Sequence, residues 1–242
     1  MTKQVTRKSF TAEHHAMLFA WIVREAIRGV GEEKAAPVIR MAVRRYGEQR
    51  GKRMAMRALA NGHERSMLNY LAYAEWRAEK GGMVVKTIEK RPHMRVLIPR
   101  CCWHTAWGPA DLVRYGKYYC MDVDDAIVRS FNPELKLEVK AIKPDGAPEC
   151  EMVFHGVDLG PAAMLRFLYR KAINPGKKAL MPWDYHTGHI YKTVGGTIIG
   201  AFGKKGEKAV EAALAEFAGR YGDGAAEIVK GFTKTDFDQL PS

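Results

Sequence analysis

The chain has 242 residues, 47% of them hydrophobic, and its 39 Lys and Arg against 27 Asp and Glu leave a formal charge of +12. That length can bury a full core, and that apolar share excludes a disordered chain. No apolar run reaches the roughly eighteen residues of a membrane span, and the opening MTKQVTRKSFTAEHH lacks the apolar stretch of a secretory signal.

A soluble, cytoplasmic protein is therefore expected, built as one domain over residues 1–242. The excess of bases favours anionic partners. Arg24, Arg28, Arg40, Arg44, Arg45, Arg50, Arg53 and Arg57 crowd the N-terminal third, while the middle alternates in sign. No stacking motif or recognition module accompanies that charge, so a small anionic molecule is expected as partner, with neither nucleic acid nor membrane. The four cysteines form no CxxC pair and no disulfide framework. Reduced thiols are expected.

Helix signals fill residues 1–82. Thr11 and His14 open a helix whose Leu18, Ile22, Ala26 and Ile27 recur at helical spacing, and Gly29 and Gly31 end it. A second helix is predicted from Glu32 to Tyr46, and a third from near Arg50 towards Glu79, stopped by Gly81-Gly82. The period changes over residues 83–160. Met83–Lys90 and His93–Ile98 read as strands joined at Arg91-Pro92, Pro109–Phe131 as a helix, and Lys136–Ile142 and Cys150–His155 as strands flanking Pro144-Asp145-Gly146. Residues 161–242 turn helical again. There GEKAVEAALAEFAGRYG, from Gly206, echoes GEEKAAPVIRMAVRRYG, from Gly31. The expected fold class is α+β: a small antiparallel sheet packed against helices, with similar N- and C-terminal helical units.

Three sequence features bear on chemistry. Cys120 lies within the Pro109–Phe131 helix and Asp124 is one turn on, so the two side chains share a face. A thiol attacks as thiolate, and a neighbouring carboxylate opposes its ionisation, so a cation or a neutral base must help: His104, His155 or one of the C-terminal histidines. The plain alternative makes Cys120 a small apolar core residue. Asp184, His186 and His189 form a second group; an extended segment puts Asp184 and His186 on one side, and a helix makes the two imidazoles neighbours. That spacing lacks the glutamate of HExxH, and ordinary histidines at a chain reversal compete with a divalent metal site. The third feature, Gly200, Gly203 and Gly206, meets no phosphate-loop pattern, and no Gly-x-Ser-x-Gly elbow occurs.

The segment YYCMDVDDAIVRSFNPELKLEVKAIKPDGAPECEMVF, Tyr118 to Phe154, resembles the L-2-amino-thiazoline-4-carboxylic acid hydrolase family. The resemblance rests on a Cys followed by an Asp, an Asn-Pro turn, a strand, then Gly-x-x-x-Cys-x-x-x-Phe. It implies hydrolysis of a C–N bond in a small cyclic amidine that bears a carboxylate, giving a carbamoyl-cysteine product. Cys120, Asp124 and Cys150 match the family's positions. Cys120 is then expected as nucleophile, with Asp124 and His104 or His155 assisting. Arg100 or Arg114 would hold the substrate carboxylate, and Cys101, Cys102, Trp103, Trp107 and Cys150 would contribute to its pocket. No cofactor is expected on this route. A metal-activated hydroxide at Asp184, His186 and His189 is the alternative. Cleavage of a C–C or C–S bond in the same pocket, and a non-enzymatic small-molecule binding protein, are further alternatives. A homodimer is compatible with the sequence.

Overall fold

The structure is a computed structural model that describes residues 10–172 and 179–241. The described residues fall into two compact, interleaved units. The first draws on residues 10–46, Cys102–Met121 and Pro182–Thr235, and the second on Gly47–Cys101 and residues 122–172, 179–181 and 236–241.

The first unit is helical. Its α1 (Ala12–Val30) opens at Thr11, whose backbone N–H donates to His14 Nδ1 at 3.2 Å, so the predicted helix start is present. Gly31, at φ 85°, separates α1 from α2 (Glu32–Ala60). The chain returns to this unit through α4 (Cys102–Trp107) and the first part of α5 (Val113–Phe131). The later helices are α7 (Trp183–Ile190), a π-helical turn at Tyr191–Gly195, α8 (Gly196–Phe202), α9 (Lys204–Tyr221) and α10 (Asp223–Lys230). Leu18, Ile22 and Ala26 are buried on α1, which packs along α9, α4 and α7. From α9, Phe217 enters a ring cluster with Phe10, His14 and Trp21.

The second unit holds an antiparallel sheet of order β1-β2-β4-β3: β1 Val84–Glu89, β2 Met94–Arg100, β3 Leu137–Ala141 and β4 Cys150–Phe154. Side chains alternate along a strand. Met94, Val96 and Ile98 therefore share one face, beside Phe154, Met152 and Cys150, their partners on β4. The short α3 (Met67–Ala72) packs on α6 (Pro161–Ala172). The mixed α+β class with one small antiparallel sheet is as the sequence indicates.

Boundaries differ where a tertiary contact overrides a local signal. Gly47 was expected to close a helix, yet α2 runs through both Gly47 and Gly51 to Ala60. The reason is a crossing. A Cβ at Gly51 would lie 2.2 Å from the Ile127 carbonyl oxygen, and one at Gly47 would lie 2.7 Å from the Ala126 Cβ. The glycines' cost in helix propensity, about 1 kcal/mol each, is offset by the close approach of α2 to α5. The long third helix is absent: α2 ends at Ala60 and α3 spans only Met67–Ala72. Cys101 and Cys102 do not continue β2, because the strand ends at Arg100 and α4 starts at Cys102. The echoing segments also end differently, since α9 stops at Gly222 whereas α2 continues past Gly47.

Gly51→Ala places a methyl group against backbone that cannot rotate away. It is expected to lower unfolding free energy by about 1–3 kcal/mol, the usual cost of overpacking, read as a lower midpoint in urea. An unchanged midpoint would show that α2 and α5 separate without penalty.

Candidate active site

The site of the second unit begins with a buried acid. Glu75 and Arg53 are each 0% exposed. Arg53 donates through Nε to Glu75 Oε1 at 3.0 Å and through Nη2 to Oε2 at 2.9 Å, a two-point pairing suited to guanidinium and carboxylate. Arg57 reaches the same carboxylate at 2.6 Å and Arg50 approaches it through Nε at 3.5 Å. In the sequence these three arginines are part of the basic N-terminal third. Folding turns them inward.

Arg50 also borders a cavity of about 630 Å³. Apolar walls come from Met94, Val96 and Ile98 of β2, Met152 and Phe154 of β4, and Met164 and Phe167 of α6. Asp124 and Ile127 of α5 and Tyr70 of α3 line it as well, and Arg77, Glu79 and Lys171 also border the space. The crossing at Gly51 carries Arg50 and Asp124 to the same chamber. Asp124 is enclosed by protein yet keeps surface open to the cavity, and burial pushes its carboxyl up to about 6 against an opposing pull from Arg50. Burial likewise raises the Tyr70 phenol, with the Asp124 charge adding to it. A carboxyl that exchanges protons near neutrality beside an arginine is suited to general acid–base work on an anionic ligand.

Among the residues singled out in the sequence, Asp124 lines this chamber. Cys120 is half-buried, one turn earlier on α5. Cys150 is buried and accepts a hydrogen bond from the Lys143 amide at 3.3 Å. Burial raises its thiol pKa, and nearby Cys101 and Asp124 raise it further, so this sulfur is held as a neutral thiol. His155 does not join Asp124: its Nε2 lies 3.3 Å from Glu138 and its ring 4.6 Å from that of His93. Strand alternation explains this, since Phe154 takes the chamber side of β4. Arg100 is exposed at the end of β2 and donates to the Gly81 carbonyl at 3.4 Å. Arg114 is exposed and folds onto its neighbour Tyr115. His104 and Cys102 are half-buried on α4, in the first unit.

Trp103 and Trp107 are core residues of the first unit. Trp107 is fully buried and donates to the Ala16 carbonyl at 2.8 Å. Trp103 donates to His15 Nδ1 at 3.0 Å, and His15 Nε2 lies 3.0 Å from the Tyr46 hydroxyl. An indole N–H only donates, so Nδ1 accepts and the proton of this neutral imidazole is on Nε2, donated to Tyr46. Asp184, His186 and His189 are buried on α7. Because that segment is helical, Asp184 and His186 are about 200° apart around the axis, so the arrangement in which they share a side does not form. Among the described residues, no group of three or more His, Cys, Asp or Glu side chains is placed to hold a metal ion.

The missed residues are Arg50, Tyr70 and Glu75. The crowding of arginines was visible, but not which of them turn inward. A glutamate inside a largely apolar stretch, NYLAYAEW, was the available sign of a buried partner.

Fold and chamber together define an α+β protein with a largely apolar pocket bordered by Arg50 and Asp124. The family model for L-2-amino-thiazoline-4-carboxylic acid hydrolase matches residues 11–154, more than half of the chain, and the chain belongs to that family. It is accordingly an enzyme, a hydrolase acting on non-peptide C–N bonds in a small heterocyclic substrate. The matched segment runs from α1 to β4 and includes Arg50, Glu75, Cys120, Asp124 and Cys150, but not α6 or α7. No curated protein and no solved structure gives a significant match. No helix among the described residues is long and apolar enough to cross a membrane.

Two stability measurements test this electrostatic arrangement. The folded state binds a proton at Asp124 more tightly than the unfolded chain, so its contribution is favourable at acidic pH and is lost as pH rises from about 4 through about 6. Asp124→Asn should therefore raise stability at pH 7, by up to about 3 kcal/mol at roughly 1.4 kcal/mol per pKa unit, and flatten that pH dependence in urea titrations. Glu75→Gln removes the anion from among three arginines and should cost about 3–5 kcal/mol in the same assay.

Proposed function

We propose that the chain opens the ring of a small cyclic amidine or amide carrying a carboxylate, in the chamber of the second unit. Arg50 holds the carboxylate by charge-assisted hydrogen bonding. Asp124, as carboxylate, takes a proton from water as its oxygen adds to the electron-poor ring carbon. Passing that proton to the ring nitrogen, and in an amidine relaying the added hydroxyl's own proton to the same nitrogen, then lets the C–N bond break, leaving a carbonyl on the carbon and a free amine on the opened chain. One water is consumed and Asp124 is restored. The observation that carries this reading is a desolvated carboxyl with its pKa near 6 beside a buried arginine on the wall of a largely apolar pocket.

A second reading gives the attack to the Cys120 thiolate, with water hydrolysing the adduct afterwards. Its support is the family match and the placement of Cys120 one turn before Asp124. The resting state of Cys150 argues against that thiol in the same role. Alkylation tests the thiol route, and pH tests the carboxyl route.

The assay follows ring opening of L-2-amino-thiazoline-4-carboxylate by mass spectrometry. Asp124→Asn should lower kcat by about 10²–10⁴-fold, the usual range for a lost acid–base group, and wild-type kcat/KM should rise as pH passes about 6. Arg50→Gln should act mainly on KM. A Cys120→Ser variant with near wild-type turnover supports water attack; a loss as large as that of Asp124→Asn, with a covalent adduct on Cys120, transfers the attack to sulfur. No ring opening by the wild-type enzyme at any pH would overturn both routes for this substrate.

A further inference from the structure

The chamber is too large and too apolar for a five-membered ring acid alone. Its volume of about 630 Å³ lies within the roughly 300–1,000 Å³ of pockets that take drug-sized ligands. Arg50 and Asp124 supply polar partners for a ring and a carboxylate, while much of the remaining lining is hydrocarbon and thioether. Met54, Met83, Met94, Met152 and Met164 all border the space, with Phe167 on α6. Unbranched methionines reshape around chains of different length and are favoured on surfaces that accept varied apolar ligands. Part of that wall, Met164, Phe167 and Leu180, comes from beyond residues 11–154.

From this lining and the assignment of ring chemistry to Arg50 and Asp124, on which the inference rests, we propose that the natural substrate is amphiphilic. It is a heterocyclic carboxylate bearing an uncharged apolar substituent of several carbons, seated among the methionines. The ring sets the chemistry, and the substituent supplies most of the binding. Each buried methylene contributes about 0.8 kcal/mol, or about fourfold in affinity. Arg77, Glu79 and Lys171 border the chamber as well, so a chain long enough to force a methylene against them should bring the gain to a halt.

The test is a homologous series of 2-(acylamino)-thiazoline-4-carboxylates with acetyl, butanoyl, hexanoyl and octanoyl groups, offered to the purified full chain. Calorimetry gives Kd on Asp124→Asn, which separates binding from turnover, and mass spectrometry gives kcat/KM on the wild type. The expected result is a Kd falling about fourfold per methylene until the chain fills the pocket, with a heat-capacity change that becomes more negative along the series. Met164→Trp, which fills part of the space, should reduce the octanoyl-to-acetyl affinity ratio by at least tenfold. A Kd flat across the series overturns the proposal, even where the parent ring is hydrolysed. A chain-length dependence without hydrolysis of any member supports the amphiphilic ligand and overturns the ring-opening function instead.

Discussion

One buried carboxylate organises the second unit. Glu75, with no exposed surface, gathers Arg53 and Arg57 at hydrogen-bond distance and Arg50 slightly further away. Removing any of these charges from water is expensive, and the cost is tolerable only because they solvate one another. Of these arginines, Arg50 also reaches the chamber wall. The geometry depends on Gly47 and Gly51, which let α2 approach α5 closely enough for Arg50 to act on Asp124. Sterics and electrostatics thus meet at one helix crossing.

His15 of the first unit and Asp124 of the second are buried by different means. In the first, His15 is held between Trp103 and Tyr46 by neutral hydrogen bonds that fix its tautomer. At His15 such a network rigidifies the core without a charge on the ring. In the second, formal charges remain, and Asp124 carries an unfavourable one at neutral pH because burial outweighs the pull of Arg50. A group that costs stability yet faces a cavity is typical of functional positions, where reactivity and stability compete. The same asymmetry distinguishes the thiols: burial keeps Cys150 protonated, whereas Cys120 is half-buried one turn from the carboxyl.

Several features required no tertiary information. The alternation of Met94, Val96 and Ile98, the turn at Gly146, the start of α1 at Thr11 and the four-residue spacing of Cys120 and Asp124 are local, set by backbone period and steric preference. The family resemblance was equally local, since it rests on a continuous segment. These signals determined the α+β class, the hydrolase family and one chamber residue, Asp124.

The other half of the site was decided by packing. Arg50, Arg53 and Arg57 have the same sequence appearance whether their stripe meets water or Glu75, because helical periodicity assigns a face and not its partner. Gly47 looks like a helix end and becomes a crossing point, since only α5 supplies the backbone it must accommodate. Trp103 and Trp107, adjacent to the cysteine pair, turn into the first unit's core, and His155 turns towards Glu138 rather than Asp124. Sequence spacing determined which side chains share a helix turn or a strand face. Only the tertiary structure decided which faces oppose one another, and with that which carboxyl loses its water.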